Sequence, residues 1–480
     1  MISVKKVAKN AGIYGIVQVL QGSIGFFLLP IYTRYLSPTD YGIVSIITSI
    51  SSFLTIFYLF GLQGAVSKYY YEYVEDESLF KKFIGTVITI ILMISLLLTL
   101  FLFITHKFIL DKFIKGVSFY PYVAIGLLTV AFSTIFPIYQ GLLQMQHKAE
   151  KFAIQTLIVF LVSLIMDIVF IVVLKLGALG PLLSSLLVAV MTFIFAIIIF
   201  NKFIDWKIDK TIMKRSLKYS MPLVPHTLAG WISNLADRLI LNFLKNTALV
   251  GIYNIGYQFG NIISIVAGAV NSAFVPWFFS IMKDSKNDKN QIYRFGTTFV
   301  LLYSLGALWL SILSPYVLKF MVHKSFYGAI SCIPYIAFGC VFNGVYYFFV
   351  SGLFYNETGT KYIFLASSSA AIINIVLNFS LIPKYGIIGA SLATLISFAM
   401  LSIMVLFLSK FINKKDDLKW RYKTIYSIVI ISMVITFLIK KMQFNFLNNF
   451  CLLLISTIII YFVSGLKLKD IMNLKKKKIV

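Results

Sequence analysis

Charge is scarce in this 480-residue chain, and acid is scarcer still: 12% of residues are charged, with 17 Asp and Glu against 43 Lys and Arg. An average soluble domain carries roughly 25% charged residues, so water is excluded as the main solvent. There are only 3 cysteines and 4 histidines. Cys332, Cys340 and Cys451 fall in apolar stretches without disulfide or metal-ligand spacing and are expected to be inert buried thiols. No Gly-rich phosphate loop, metal cluster or Ser-His-Asp arrangement stands out. Long connections are missing as well. None exceeds about 20 residues, which argues against a soluble catalytic domain or a large outer loop holding an acceptor.

What is present is hydrophobic length. Apolar residues reach 59%, and a spanning helix needs about 20 of them in succession. About fourteen stretches qualify, near residues 11–33, 41–64, 84–105, 120–143, 153–174, 178–200, 220–244, 249–275, 296–318, 328–352, 363–383, 387–409, 424–439 and 448–465. The net charge of +26 resides in the short connections, where retention of cations on the cytoplasmic side is a simpler cause than nucleic-acid binding. With the N-terminus inside, roughly 31 of the 43 cations fall on the inner side, which puts both termini in the cytoplasm. The basic start followed by an apolar stretch lacks a small-residue cleavage site and is expected to be retained.

The chain repeats itself. Tyr41-Gly42-Ile43-Val44 returns as Val250-Gly251-Ile252-Tyr253, and Leu176-Gly177-Ala178-Leu179-Gly180 returns as Tyr385-Gly386-Ile387-Ile388-Gly389. Gly251 minus Gly42 and Gly389 minus Gly180 both equal 209, so two landmarks hold one register. The expected fold is an all-α polytopic membrane protein with two parallel six-helix repeats plus two C-terminal helices, a plan typical of secondary transporters. The expected divisions are residues 1–201, a cytoplasmic linker 202–219, a second lobe 220–409, two further spans in 410–465, and a basic tail 466–480. Segment 203–218 mixes apolar residues with Lys and Arg and reads as either an interfacial helix or a solvated linker.

Ionisable groups within spans are expensive in lipid and therefore mark candidate sites. Arg34 follows the first span, and a guanidinium suits a phosphate or acidic sugar. Its other reading is an end-of-helix Arg reaching the headgroups. Asp237 and Arg238 lie in the seventh span, where neighbours on a helix point about 100° apart and need not pair. Asp237 is a candidate for a coupling proton or cation, or for neutralising an Arg. Asp167, isolated in the fifth span, is the other ion-coupling candidate or else a helix-to-helix hydrogen-bonding group. Pro222 and Pro225 before His226 predict a bent helix. Amides and aromatic rings that suit a glycan include Gln21, Gln63, Asn234, Tyr253 and Tyr257, although such groups also hold helices together.

The segment Leu28-Leu29-Pro30-Ile31-Tyr32-Thr33-Arg34-Tyr35-Leu36-Ser37 with Asp40-Tyr41-Gly42 resembles the polysaccharide biosynthesis proteins of the Wzx-like oligosaccharide flippase type. Ala236-Asp237-Arg238-Leu239-Ile240-Leu241, Val250-Gly251-Ile252-Tyr253 and Ile382-Pro383-Lys384-Tyr385-Gly386-Ile387-Ile388-Gly389 extend the similarity to the twelfth span. The resemblance implies membership of the multidrug/oligosaccharidyl-lipid/polysaccharide exporter superfamily. It further implies movement of an undecaprenyl-diphosphate-linked oligosaccharide across a bacterial cytoplasmic membrane by alternating access. Its implied partners are that lipid-linked substrate, membrane lipids and the polysaccharide polymerase machinery, and no nucleic acid or cofactor. Coupling to protons, sodium or the membrane potential is expected, because no nucleotide motif is visible. A lipid II flippase and a drug/cation antiporter of the same superfamily are the alternatives. A membrane enzyme that polymerises the glycan is the alternative from another class.

Overall fold

The computed structural model describes residues 12–15, 17, 25–26, 28–283, 290–355, 359–412, 420–442 and 445–466. Among these residues all regular structure is helical. Among the described residues, twelve helices are long and apolar enough to cross a membrane. The expected span at 11–33 is described only in part, at residues 12–15, 17, 25–26 and 28–33. The span expected at 220–244 is a full-length helix, but Asp237, Arg238, His226, Asn234 and Asn242 make it less apolar than the twelve.

The chain groups into two compact units, Met1–Gly251 and Ile252–Val480. In the first unit residues 28–35 are helical. They are followed by α1 (Pro38–Leu59), α2 (Leu62–Tyr73), α3 (Glu77–Thr105), α4 (Phe119–Met145), α5 (Ala149–Val173), α6 (Leu179–Asn201), α7 (Lys210–Ser220) and α8 (Leu223–Leu244). Next, α9 (Thr247–Gly260) begins in the first unit and runs on past its end. The second unit continues with α10 (Ile262–Lys283), α11 (Asn290–Met321), α12 (Ile333–Tyr355), α13 (Gly359–Tyr385), α14 (Ile387–Ile412), α15 (Tyr422–Met442) and α16 (Phe446–Ser464).

Local chemistry sets the ends of these helices. At the start of α1, Ser37 Oγ accepts from the Asp40 amide at 3.1 Å and the Asp40 carboxylate accepts from the Ser37 amide at 3.1 Å, a reciprocal cap with Pro38 in the first turn. The repeat reproduces this start, since Asn246 Oδ1 accepts from the Leu249 amide at 2.9 Å. It also reproduces a turn that only glycine enters without strain: Gly177 has φ +58° and Gly386 has φ +56°, and the two positions are 209 apart. Along the spans the usual inside-out rule is replaced by two apolar faces. On α3, Ile84, Val87, Ile88 and Ile91 are buried in the protein, whereas Leu96, Leu97, Leu100 and Ile104 are exposed, as suits a surface solvated by lipid chains.

Three local expectations change. Pro222 and Pro225 do not bend a span; they sit at the cap and in the first turn of α8, where a missing amide hydrogen leaves no intrahelical bond unmade. The segment 249–275 is not one helix but α9 and α10, meeting at Asn261. Cys451 is exposed rather than buried.

Helices α7 and α8 fall within the first compact unit, Met1–Gly251. Asp209 caps α7 by accepting from the Thr211 and Ile212 amides at 2.8 and 3.0 Å. The helix buries Ile212, Ser216 and Ser220, with Ile212 in a core that it shares with Leu62, Phe83 and Val87 of α2 and α3. Its apolar face is therefore spent on protein rather than on a membrane surface. Arg215 bonds Glu72 through both guanidinium nitrogens, at 2.5 and 3.0 Å, and lies over the Tyr69 ring. Glu72, helped by the Tyr73 hydroxyl, holds the Arg215 proton more tightly than usual.

Candidate functional site

One row of α8 is exposed although the helix has spanning length: Thr227, Gly230 and Asn234 follow at intervals of three and four residues, the spacing of one helix face. A Cβ added at Gly230 would meet nothing within 4 Å. Asn234 Nδ2 is turned back to the Gly230 carbonyl at 2.8 Å. Polar groups are costly against lipid, so this row suits a hydrated route. Another row of α8 packs on α1. Trp231 Nε1 donates to the Ser49 carbonyl at 3.1 Å, and its ring lies 4.9 Å from that of Phe53.

Asp237 and Arg238 are both buried, at 1% and 3% exposure. Arg238 Nη1 donates to Asp237 Oδ1 at 2.8 Å and to the Asn234 carbonyl at 2.6 Å. The long guanidinium stem overcomes the 100° between their Cα–Cβ directions, so these neighbours do pair. A buried charge is tolerated only with such partners. One turn further, Asn242 Nδ2 donates to the Lys115 carbonyl at 2.7 Å, and Thr247 Oγ1 donates to Asn242 Oδ1 at 2.9 Å.

Asp167 is the second buried acid, 6% exposed. Tyr32 Oη donates to its Oδ2 at 2.9 Å, and the Tyr32 ring is 5.8 Å from that of Tyr41. Directly after Asp167 the winding of α5 loosens, with the Leu174 amide reaching back five residues to the Val169 carbonyl at 2.9 Å. Wide turns of this kind are frequent at functional positions in helices. The Tyr32 contact joins residues 135 positions apart, which no sequence period signals. The one hint was a lone acid in an apolar run, which needs some donor.

The remaining candidates are distributed as follows. Arg34 and Gln63 are exposed in the first unit. Gln21 lies outside the described residues. Tyr253 and Tyr257 are buried in the second unit, at 0% and 7% exposure, with ring centroids 6.0 Å apart. Asn374 and Asn378 bind helices together: Asn378 donates to Asn374 at 2.9 Å, and Asn374 donates to Ser397 of α14 at 3.0 Å.

Two cavities lie away from these residues. One of about 430 Å³ in the second unit is walled by Ile263, Phe299, Tyr303 and Trp309. One of about 200 Å³ in the first unit is walled by Phe136, Gln155, Val159 and Thr192. Among the described residues no group of three His, Cys, Asp or Glu is placed to hold a metal ion.

Comparison with known proteins agrees with the helical plan. Residues 7–282 match the model of the family described as polysaccharide biosynthesis protein. An uncharacterized membrane protein of Methanocaldococcus jannaschii is 27% identical over 389 residues, covering 77% of this chain and 90% of that protein. The Lsg locus putative protein 1 of Haemophilus influenzae is 25% identical over 334 residues, covering 67% and 78%. Among solved structures, the lipid II flippase MurJ in an inward closed conformation superposes with a TM-score of 0.71 at 18% identity, covering 96% of this chain and 98% of that one. An inward-facing multidrug resistance MATE family transporter of the MOP superfamily superposes with a TM-score of 0.65 at 13% identity, covering 83% and 97%. Helical plan, internal repeat and family match converge: this multi-pass membrane protein belongs to the polysaccharide biosynthesis protein family and has the fold of the MOP superfamily.

Proposed function

We propose that the protein is a flippase that carries an undecaprenyl-diphosphate-linked oligosaccharide from the inner to the outer leaflet of a bacterial cytoplasmic membrane, with both of its termini in the cytoplasm. The observation that carries this reading is the family match over residues 7–282. The geometry adds a chemical rationale. A diphosphate needs cationic partners in a site shielded from water. Arg34 is exposed before the first turn of α1, and Arg238 is a desolvated guanidinium held by Asp237. Phosphate oxygens accept the same hydrogen bonds as Asp237 Oδ1, so substrate can take the place of the carboxylate when a bound proton or cation neutralises Asp237. Sugar hydroxyls are met by Asn234 and Gln63 on exposed faces. Gln21 belongs to the same proposed set. Tyr253 and Tyr257 join it only in a state that uncovers their rings.

Coupling is assigned to Asp167 and Asp237, which bind a proton or sodium ion in exchange for the Tyr32 and Arg238 contacts. The polysaccharide polymerase machinery is the expected recipient of the product. A lipid II flippase is the second reading, favoured by the superposition over 96% of the chain.

The test is reconstitution into liposomes with a lipid-linked oligosaccharide in the leaflet facing the cytoplasmic side, followed by lectin access from the other side. Arrival above that of empty liposomes supports a flippase. Transport of lipid II in preference to other glycans selects the second reading. Cationic dye efflux without any glycan movement refutes both.

A further inference from the structure

The cavity of about 200 Å³ in the first unit is a groove between α5 and α6, backed by Phe136 of α4. Ile158, Met191 and Phe195 in its wall are exposed, so the groove opens sideways to lipid chains. On α5 the wall is built from Gln155, Ile158, Val159 and Val162, spaced by three and four residues along one helix face. On α6 it is built from Val188, Met191, Thr192 and Phe195 with the same spacing. An apolar cavity of about 150 Å³ takes one benzene, so this groove takes a stretch of one hydrocarbon chain and not two.

Both walls end in a lysine on the same side. Lys151 precedes Gln155 by four residues and Lys202 follows Phe195 by seven, so each continues the face that lines the groove. Both are exposed, at the ends of α5 and α6 that lie inward when the chain's cations are placed in the cytoplasm. Neighbouring Glu150 lies about 100° round the helix from Lys151. Trp206, whose Nε1 donates to Asn201 Oδ1 at 2.6 Å, marks the headgroup level beside Lys202.

Between the lysines and the apolar floor stands one unmatched polar group. Gln155 Nε2 donates to the Tyr139 hydroxyl at 3.1 Å, whereas its Oε1 is buried and accepts nothing from the described residues. Thr192, by contrast, commits its hydroxyl to the Val188 carbonyl at 2.8 Å. A buried amide end without a partner is costly, and hydrocarbon supplies no water to it. A tyrosine hydroxyl both donates and accepts, and the last torsion of a glutamine is soft. Gln155 can therefore hold Tyr139 by either amide atom and offer the other to the groove. It lies one turn, about 6 Å, deeper than Lys151. Cation, amide and apolar groove thus follow in the order of phosphate, glycerol ester and acyl chain.

We propose that the groove between α5 and α6 is a binding site for an anionic phospholipid of the inner leaflet. Lys151 and Lys202 hold its phosphate, Gln155 meets the ester or hydroxyl at the glycerol level, and one acyl chain lies against Val159, Val162 and Val188. A polyprenyl phosphate carries no polar group at that level, and its methyl branches widen the chain. Lipid bound here is separate from any transported substrate, and its binding stands whether or not the protein moves a glycan.

The test is native mass spectrometry of the full chain in detergent, titrated with dioleoylphosphatidylglycerol, dioleoylphosphatidylcholine or undecaprenyl phosphate. Phosphatidylglycerol should bind about fivefold or more tighter than phosphatidylcholine, the scale of one lysine at an anionic lipid, and undecaprenyl phosphate should displace it poorly. The double variant Lys151→Gln/Lys202→Gln should abolish that preference, and Gln155→Leu should weaken both phospholipids. Lys210→Gln/Lys214→Gln, at exposed positions of α7, should keep it. A phosphatidylglycerol with a diazirine on one acyl chain should crosslink to peptides of α5 and α6. Unchanged selectivity in the first double variant, an equal loss in the α7 control, or crosslinks confined to other helices overturns the site. Tighter binding of undecaprenyl phosphate than of phosphatidylglycerol overturns the assignment of its ligand.

Discussion

Removing Asp237 while keeping Arg238 tests the central charge arrangement most directly. At a separation of 2.8 Å and an effective dielectric constant of about 20, the attraction between the two charges is about 6 kcal/mol. Part of it only offsets the desolvation of the carboxylate, which the variant no longer incurs. What remains is a buried guanidinium that has lost its carboxylate, for which the usual net loss is about 3–5 kcal/mol. The retained bond from Arg238 to the Asn234 carbonyl favours the lower end. At about 2–4 °C per kcal/mol for a unit of this size, Asp237→Ala should unfold roughly 10 °C below the parent. The assay is thermal unfolding in detergent at one fixed scan rate, alongside Arg238→Leu and the double variant Asp237→Ala/Arg238→Leu. The double variant removes both buried charges and should recover much of the loss. If the double variant loses as much as the two single changes added together, the charges are not coupled and the reasoning fails.

Four further outcomes are expected. Tyr32→Phe removes a hydrogen bond to a carboxylate and should cost about 1.5–3 kcal/mol, while Asp167→Asn should abolish gradient-dependent transport; normal flipping by Asp167→Asn at every pH and cation gradient tested would remove Asp167 from the coupling mechanism. Trp231→Phe keeps the ring beside Phe53 but loses the bond to the Ser49 carbonyl, for a cost of about 1 kcal/mol, whereas Trp231→Ala should lose about 3 kcal/mol or more, both read as shifts in thermal unfolding. Arg215→Lys cannot reproduce the two-nitrogen contact with Glu72, but the pair is exposed, so the loss should stay below about 1 kcal/mol and shrink further in high salt. Arg34→Ala should reduce flipping about tenfold at normal expression, and full activity would confine Arg34 to a headgroup-anchoring role.

Much of the plan was legible because lipid imposes a simple rule: backbone polar groups must be satisfied within each helix, so every spanning segment announces itself as a long apolar run. The repeat was legible for a related reason. Gly177 and Gly386 occupy a left-handed turn, and Gly42 and Gly251 admit a carbonyl where any side chain would collide, so the same residue is required at both copies. Membership of the family could likewise be anticipated from the Leu29-Pro30 to Gly42 segment and its companions.

The sites were legible only as residue types. Asp167 stood out as an acid among apolar neighbours, yet Tyr32 as its partner could not be inferred, because a contact across 135 positions depends on how two helices pack. Helical geometry alone left Asp237 and Arg238 free to face different ways; burial decided it, since neither charge is stable there without the other. Segment 203–218 looked equally suited to the membrane surface or to water, and the pocket offered by α2 and α3 settled the matter for Ile212. Sequence by itself thus determined the solvent, the helices, the repeat and the family, since each follows from composition or from a local steric demand. Which charges pair, which rings are covered and which glycines touch was decided by tertiary structure, because those outcomes depend on the distance between residues far apart in the chain.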